Sequence, residues 1–295
     1  MMRQQAVVRK KRIYAVAAVV LAIILLCGIG CAVYVSDYYH AEEEAVQAMA
    51  SDDHVTVNET EDGVLLFLPD ALKAGLIFYP GGKVEYTAYA PLMRACAQRG
   101  IFCVLLKMPW NLAVLDVNAA DGITQQYPDI DAWYLGGHSL GGAMAANYAA
   151  SHSGEFDGLI LLAAYSTKDL SGSDLTVLSV CGSEDQVLNA EKYAANQSNL
   201  PADTIEVVIE GGCHAGFGTY GPQSGDGTPS ISSQEQIDRT AEEIWIWCKA
   251  EANILFQNNL RRKPSCGKTL EQSPTPTPSR CSSLPPMAQT AHRMP

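Results

Sequence analysis

The sequence predicts an α/β domain built on a mostly parallel sheet with helices on both faces. Three observations carry that expectation. Short apolar runs of strand character alternate with helical stretches through most of the chain, and strands joined in that rhythm need crossover connections. A serine stands between one such run and a small-residue helix, in Gly137-His138-Ser139-Leu140-Gly141. The 295 residues, 47 % of them hydrophobic, are enough for one large domain with a full core.

Residues 1–13 form a basic N-terminus that carries Arg9, Lys10, Lys11 and Arg12. Residues 14–35 follow as a transmembrane anchor, because Ala15 to Val35 are 21 consecutive uncharged, mostly apolar positions, enough to span a bilayer. The basic cluster precedes this run and acids follow it (Asp37, Glu42, Glu43, Glu44), which orients the N-terminus to the cytoplasm and the rest outward. The expectation is a single-pass protein of the cell membrane with its main domain extracellular. A cleaved signal peptide is the rival reading, though the apolar run exceeds a typical signal core and no clean small-x-small site follows it.

Residues 36–53 are acidic and alanine-rich and read as a short helical stalk. The domain proper spans 54–250. His54 to Val57 and Val64 to Leu68 flank Glu61-Asp62-Gly63 as an antiparallel hairpin. Gly75 to Tyr79 is a buried strand ending in Pro80-Gly81-Gly82, Tyr86 to Gln98 a helix stopped by Gly100, and Ile101 to Leu106 the next strand. A helix is expected over Asn111 to Gln126, a strand over Trp133 to Gly136, and the small-residue helix over Ala143 to Ala150. Strands Gly158 to Leu162, Leu175 to Val180 and Thr204 to Ile209 follow, with helices over Asn189 to Asn199 and Ser233 to Lys249. Residues 251–295 form a Pro/Ser/Thr-rich tail, expected to be disordered for lack of core-forming residues.

Charge narrows the partners. Residues 36–250 carry 30 acidic against 9 basic side chains, a net of −21, which disfavours nucleic acid and anionic lipid head groups as partners of the domain. The membrane is expected as a partner through the N-terminal helix alone, and the domain as a monomer. Nine cysteines are too few and scattered for a disulfide scaffold. Cys96 and Cys103 could pair in an oxidising compartment or serve as small buried apolar residues.

The serine motif has the form of a nucleophile elbow, whose tight turn requires small neighbours and finds them in Gly137 and Gly141. A serine hydroxyl needs a base in reach and a third group to orient that base. Of six histidines, His40 lies in the stalk, His292 in the tail, His54 in the hairpin, His152 at the far end of the helix, and His138 inside the elbow itself. His214 remains, on a loop after Gly211-Gly212 at the strand C-termini, where ligands bind in such folds. Of the carboxylates in Gly182-Ser183-Glu184-Asp185, Asp185 is the expected partner, with Glu184 turned to solvent and Asp169 the runner-up. The expected oxyanion donors are the backbone N–H groups of Leu140 and Gly82. Trp110 and Lys83 are expected to wall the site and bind substrate.

From about His54 to Ala250 the chain resembles small bacterial α/β-hydrolases akin to dienelactone hydrolases and simple carboxylesterases. The matching segments are Tyr79-Pro80-Gly81-Gly82, Lys107 to Ala113, Gly137 to Gly142, Gly182 to Asp185 and Gly211 to Gly218. The run Tyr220 to Gly227 resembles the glycine-rich loop after the histidine in membrane-anchored Gram-positive members. The resemblance implies the α/β-hydrolase fold and hydrolysis by a Ser139–Asp185–His214 triad without metal or organic cofactor, and does not fix the substrate; the expected activity is that of a serine hydrolase cleaving a small carboxylic ester through an acyl-enzyme. An amidase, thioesterase or acyltransferase with the same triad, or a catalytically silent binding protein, are the alternatives. Only Ala163 to Asp174 separate the two strands between which larger relatives insert a cap, so no cap domain is expected and the site should be open to small soluble substrates.

Overall fold

The computed structural model describes residues 2–262. An eight-stranded sheet runs in the order β1-β2-β4-β3-β5-β6-β7-β8. Its strands are β1 (Val55–Glu59), β2 (Leu65–Pro69), β3 (Ala74–Tyr79), β4 (Ile101–Leu105), β5 (Trp133–His138), β6 (Gly158–Leu162), β7 (Thr176–Gly182) and β8 (Ile205–Ile209). The hairpin β1–β2 and the β2–β4 pair are antiparallel, and every later pairing is parallel. The central strands are apolar along their whole length because both faces are covered.

Alternation along each strand divides the core in two. Leu76 and Phe78 of β3 pack with Leu92, Ile237 and Trp247 on one face. Ile77 and Tyr79 pack with Ala145, Ala146 and Ala149 on the other. The first face is covered by α3 (Ala90–Ala97) and α7 (Ser233–Arg262), the second by α5 (Leu140–His152). A short α6 (Ala190–Asn196) precedes β8, and its N-cap Asn189 accepts from the Lys192 N–H. No helix or strand interrupts residues 163–175, so the chain carries no cap between β6 and β7.

Four segments differ from the sequence expectation. Asn111 to Gln126 is not one helix but turns at Pro109–Asn111 and Ala113–Leu115 followed by a single-turn α4 (Ile123–Gln126). The buried Tyr79 hydroxyl donates to the Val117 carbonyl and accepts from the Ala120 N–H, and Asp116, Asn118 and Asp121 favour such local turns over helix. The helix expected from Tyr86 begins as a tighter turn, Tyr86–Tyr89, before Pro91 opens α3. At the other end α7 continues past Lys249 to Arg262; the remainder of the expected tail lies outside the described residues.

The fourth is the stalk, which lies along the domain as a strap and contains only α2 (Glu43–Gln47). Tyr39 bridges Val84, donating its N–H to the Lys83 carbonyl, while Glu42 donates to the Thr219 carbonyl. Ala45 is fully buried. Arg94 of α3 donates to the carbonyls of Ala48 and Ala50 and pairs with Asp52.

Ahead of the strap runs α1 (Met2–Ser36), of which Tyr14–Ser36 is long and apolar enough to cross a membrane, with a mean hydropathy of 3.0. Helices of this kind serve as anchors or as signal sequences.

Candidate active site

Ser139 sits between the end of β5 and the start of α5 with φ 52° and ψ −121°, a backbone conformation that L-residues rarely adopt. The turn holds because its neighbours have no side chains. A Cβ on Gly137 would lie 2.6 Å from the Gly141 carbonyl carbon, and one on Gly141 would lie 2.3 Å from the carbonyl oxygens of Tyr79 and Pro80. Ser139 itself is pinned by its N–H to the Leu162 carbonyl, 2.9 Å.

Asp185 and His214, on the loops after β7 and β8, meet across those two strands. The Asp185 Oδ2 is 2.9 Å from His214 Nδ1, and each side chain is only 2 % exposed. Asp185 Oδ1 accepts from the Val187 and Leu188 N–H groups, which fixes the carboxylate with its second oxygen free for the histidine. An imidazole that donates Nδ1–H to a carboxylate leaves Nε2 as the acceptor, and His214 Nε2 has no partner among the described residues. The alternatives considered from sequence are elsewhere: Asp169 is exposed and bound to Ser171, and the Glu184 carboxylate accepts from Ser183.

The two loops are tied to each other through the backbone and through the Ser183 side chain. The Glu184 N–H donates to the Gly212 carbonyl, and the Gly211 N–H donates to Ser183 Oγ. On the elbow side, His138 is buried and its ring centre lies 4.6 Å from that of His214. The Tyr89 hydroxyl accepts from the Gly81 N–H at 3.1 Å and shares a hydrogen bond of 2.8 Å with His138 Nδ1. Burial, then the neighbouring His214, holds the His138 imidazole well below its usual range, which keeps it neutral.

Gly82 and Leu140, the expected oxyanion donors, face each other: a Cβ on Gly82 would meet Leu140 Cδ2 at 2.7 Å. In the loop after β3 the Gly81 N–H is used by Tyr89 and the Lys83 N–H by the Asn111 carbonyl, leaving the Gly82 N–H between them without a partner among the described residues. Lys83 does not turn into the site. Its Nζ is 3.0 Å from Asp37 and 4.6 Å from the Tyr34 ring centre. Trp110 stands on the adjoining loop at φ 55° and is 67 % exposed.

Three supporting residues escaped the sequence reading. Tyr89 is the first. Asp226 accepts from the N–H groups of His214, Ala215, Gly227 and Gln186. Burial pushes its carboxyl up, but those four donors outweigh it and hold it below the ordinary value. Gln236 of α7, 1 % exposed, accepts from the Cys213 N–H and donates to the Cys213 carbonyl. The sequence signal for Gln236 was a polar residue beside Ile237 and in phase with Thr240 and Ile244, all on the buried stripe. Cys213 remains a thiol at neutral pH, because burial and then Asp226 raise it to about 11.

Residues 75–238 match the Alpha/beta hydrolase family. The chain belongs to that family. Among curated proteins no sequence matches this α/β-hydrolase. Solved structures similar to it include a CIB-like hydrolase from Thermoplasma acidophilum at 14 % identity, covering 65 % of this chain and 99 % of that one with a TM-score of 0.46. Est1E from Butyrivibrio proteoclasticus is similar at 14 % identity over 67 % of this chain and 100 % of its own, TM-score 0.48. TT1662 from Thermus thermophilus aligns at 15 % identity over 65 % and 98 %, TM-score 0.48. Among the described residues no group of three or more His, Cys, Asp and Glu side chains could hold a metal ion. A separate cleft lined by Pro69, Lys73, Gln98 and Trp245 lies at the opposite edge of the sheet, by the start of β3 and β4, away from Ser139.

Proposed function

We propose that this α/β-hydrolase is a serine esterase that cleaves a small carboxylic ester through an acyl-enzyme. The observation that carries the reading is the buried Asp185–His214 contact, together with a serine in elbow geometry. Ser139 Oγ attacks the ester carbonyl while His214 Nε2 takes its proton, and Asp185 holds the imidazole in the tautomer that makes this possible. The tetrahedral oxyanion is stabilised by the Gly82 and Leu140 N–H groups and the positive end of α5. Collapse expels the alcohol, which receives the proton from His214. Water then repeats the sequence on the acyl-Ser139 ester, releasing the acid and restoring the serine.

We further propose that Tyr14–Ser36 remains as a single-pass anchor, with the domain on the outer face of the cell membrane. The basic residues Arg9 to Arg12 on its N-terminal side and the acidic strap on the other support that orientation.

A fluorophosphonate probe tests the chemistry: the chain should be labelled and Ser139→Ala should not. Hydrolysis of paired ester, amide and thioester substrates should then favour the ester. An unlabelled wild-type chain would overturn the serine mechanism.

A further inference from the structure

Chain length alone fixes where the site lies relative to the apolar helix. That helix ends at Ser36, and Tyr39 is already paired with Val84 in the loop that carries Gly82. Three residues span at most about 10 Å. The Pro109–Asn111 turn is joined to the same loop through the Lys83 N–H, and α1 packs against it.

That turn and the one after it expose their apolar side chains. Trp110 is 67 % exposed, Val114 53 % and Leu115 55 %. Trp110 and Asn111 hold consecutive left-handed positions, each with φ 55°, and of residues 109–116 only Ala113 is buried. Single exposed apolar residues are ordinary, and Leu72, Ile205 and Ile246 are such cases. Three within six residues, headed by a tryptophan and tethered beside a membrane-spanning helix, form a patch of the kind that enters a lipid interface.

We propose that Trp110, Val114 and Leu115 form a bilayer-contacting face that seats the mouth of the Ser139 site at the lipid interface, so that the substrate class is esters partitioned into that interface. This rests on the anchor reading above. The contact is apolar rather than electrostatic, since the charges bordering it are Asp116 and the Asp37–Lys83 pair, and it therefore suits zwitterionic lipid. It also revises the expectation of freely soluble substrates: the open site lacks a lid because the bilayer lies against its rim.

The test uses the full chain in phosphatidylcholine vesicles with brominated acyl chains, reading tryptophan fluorescence. Trp133 and Trp247 are buried, and Trp245 lies by Lys73 and Lys249 at the far edge. Brominated lipid should therefore quench the wild type, and Trp110→Phe should remove most of the quenchable signal. Equal quenching in both chains, with the protein still in the vesicle pellet after an alkaline carbonate wash, overturns the face and leaves the anchor standing. Release by that wash overturns the anchor reading and the face with it. As a second measurement, Leu115→Asp should lower hydrolysis of a vesicle-partitioned ester several-fold while sparing a short soluble one. Equal rates on both substrates, or equal losses on both, would overturn the proposal.

Discussion

A non-glycine residue held at φ 52° costs on the order of 1–3 kcal/mol, and Ser139 keeps that conformation because Gly137, Gly141 and the Leu162 carbonyl leave the turn no other. Ser139→Ala should keep the fold and lose activity by about 10⁴-fold or more, measured as turnover of a chromogenic ester. Asp185→Asn should be nearly as damaging, whereas Asp169→Asn should leave turnover close to wild type. His138 sets a pH dependence of stability rather than of chemistry. Its folded-state imidazole is held below the ordinary value of 6.5, so the unfolded chain binds the proton first and stability falls as pH drops through and below about 6.5. Melting temperatures across pH 5–8 (roughly the histidine range) should show that decline, and His138→Gln should flatten it. The turn at Ser139 and the meeting of Asp185 with His214 were legible because glycine spacing and strand-end loops are local signals. Tyr89 and Asp226 were not, since each acts through a partner many positions away that only folding brings near.

Among the elements, α7 does two jobs. Its apolar stripe of Ile237, Ala241, Ile244 and Trp247 covers one face of the sheet, and Gln236 on the same stripe grips both backbone groups of Cys213. Gln236→Leu would leave a buried donor and acceptor unpaired, a loss of about 1–3 kcal/mol for each. Chemical denaturation should register that loss, and kcat should fall because His214 is the next residue. Gly141→Ala would be worse, since its Cβ would meet carbonyl oxygens of the β3 loop that cannot rotate away; little soluble protein is expected. The sheet was legible strand by strand because apolar runs flanked by turn residues leave few alternatives. The stretch from Asn111 to Gln126 was not, because the side chain that organises it, Tyr79, belongs to β3.

For the molecule as a whole, the strap makes residues 37–53 part of the folded unit. Its composition suggested a spacer; its burial depends on Arg94, Thr219 and Tyr220, which composition cannot reveal. A chain beginning at residue 37 should melt cooperatively. One beginning at residue 54 would strand the Arg94 guanidinium and uncover the surface beneath Ala45, lowering Tm by roughly 5 °C or more in a calorimetric scan. Equal melting temperatures for the two would show that the strap adds nothing to stability.

The grip of Gln236 on Cys213 also sets an order of events during synthesis. Ser139, Asp185 and His214 are all made before Gln236, and the central strands β3 to β6 can pair without it. The loop carrying His214 is held at Gly211 and Gly212 by the β7 loop, but the N–H groups of Cys213, His214 and Ala215 find their acceptors only when Asp226 and then α7 arrive. The loop around His214 therefore gains its last backbone contacts late in translation, after most of the sheet has been made.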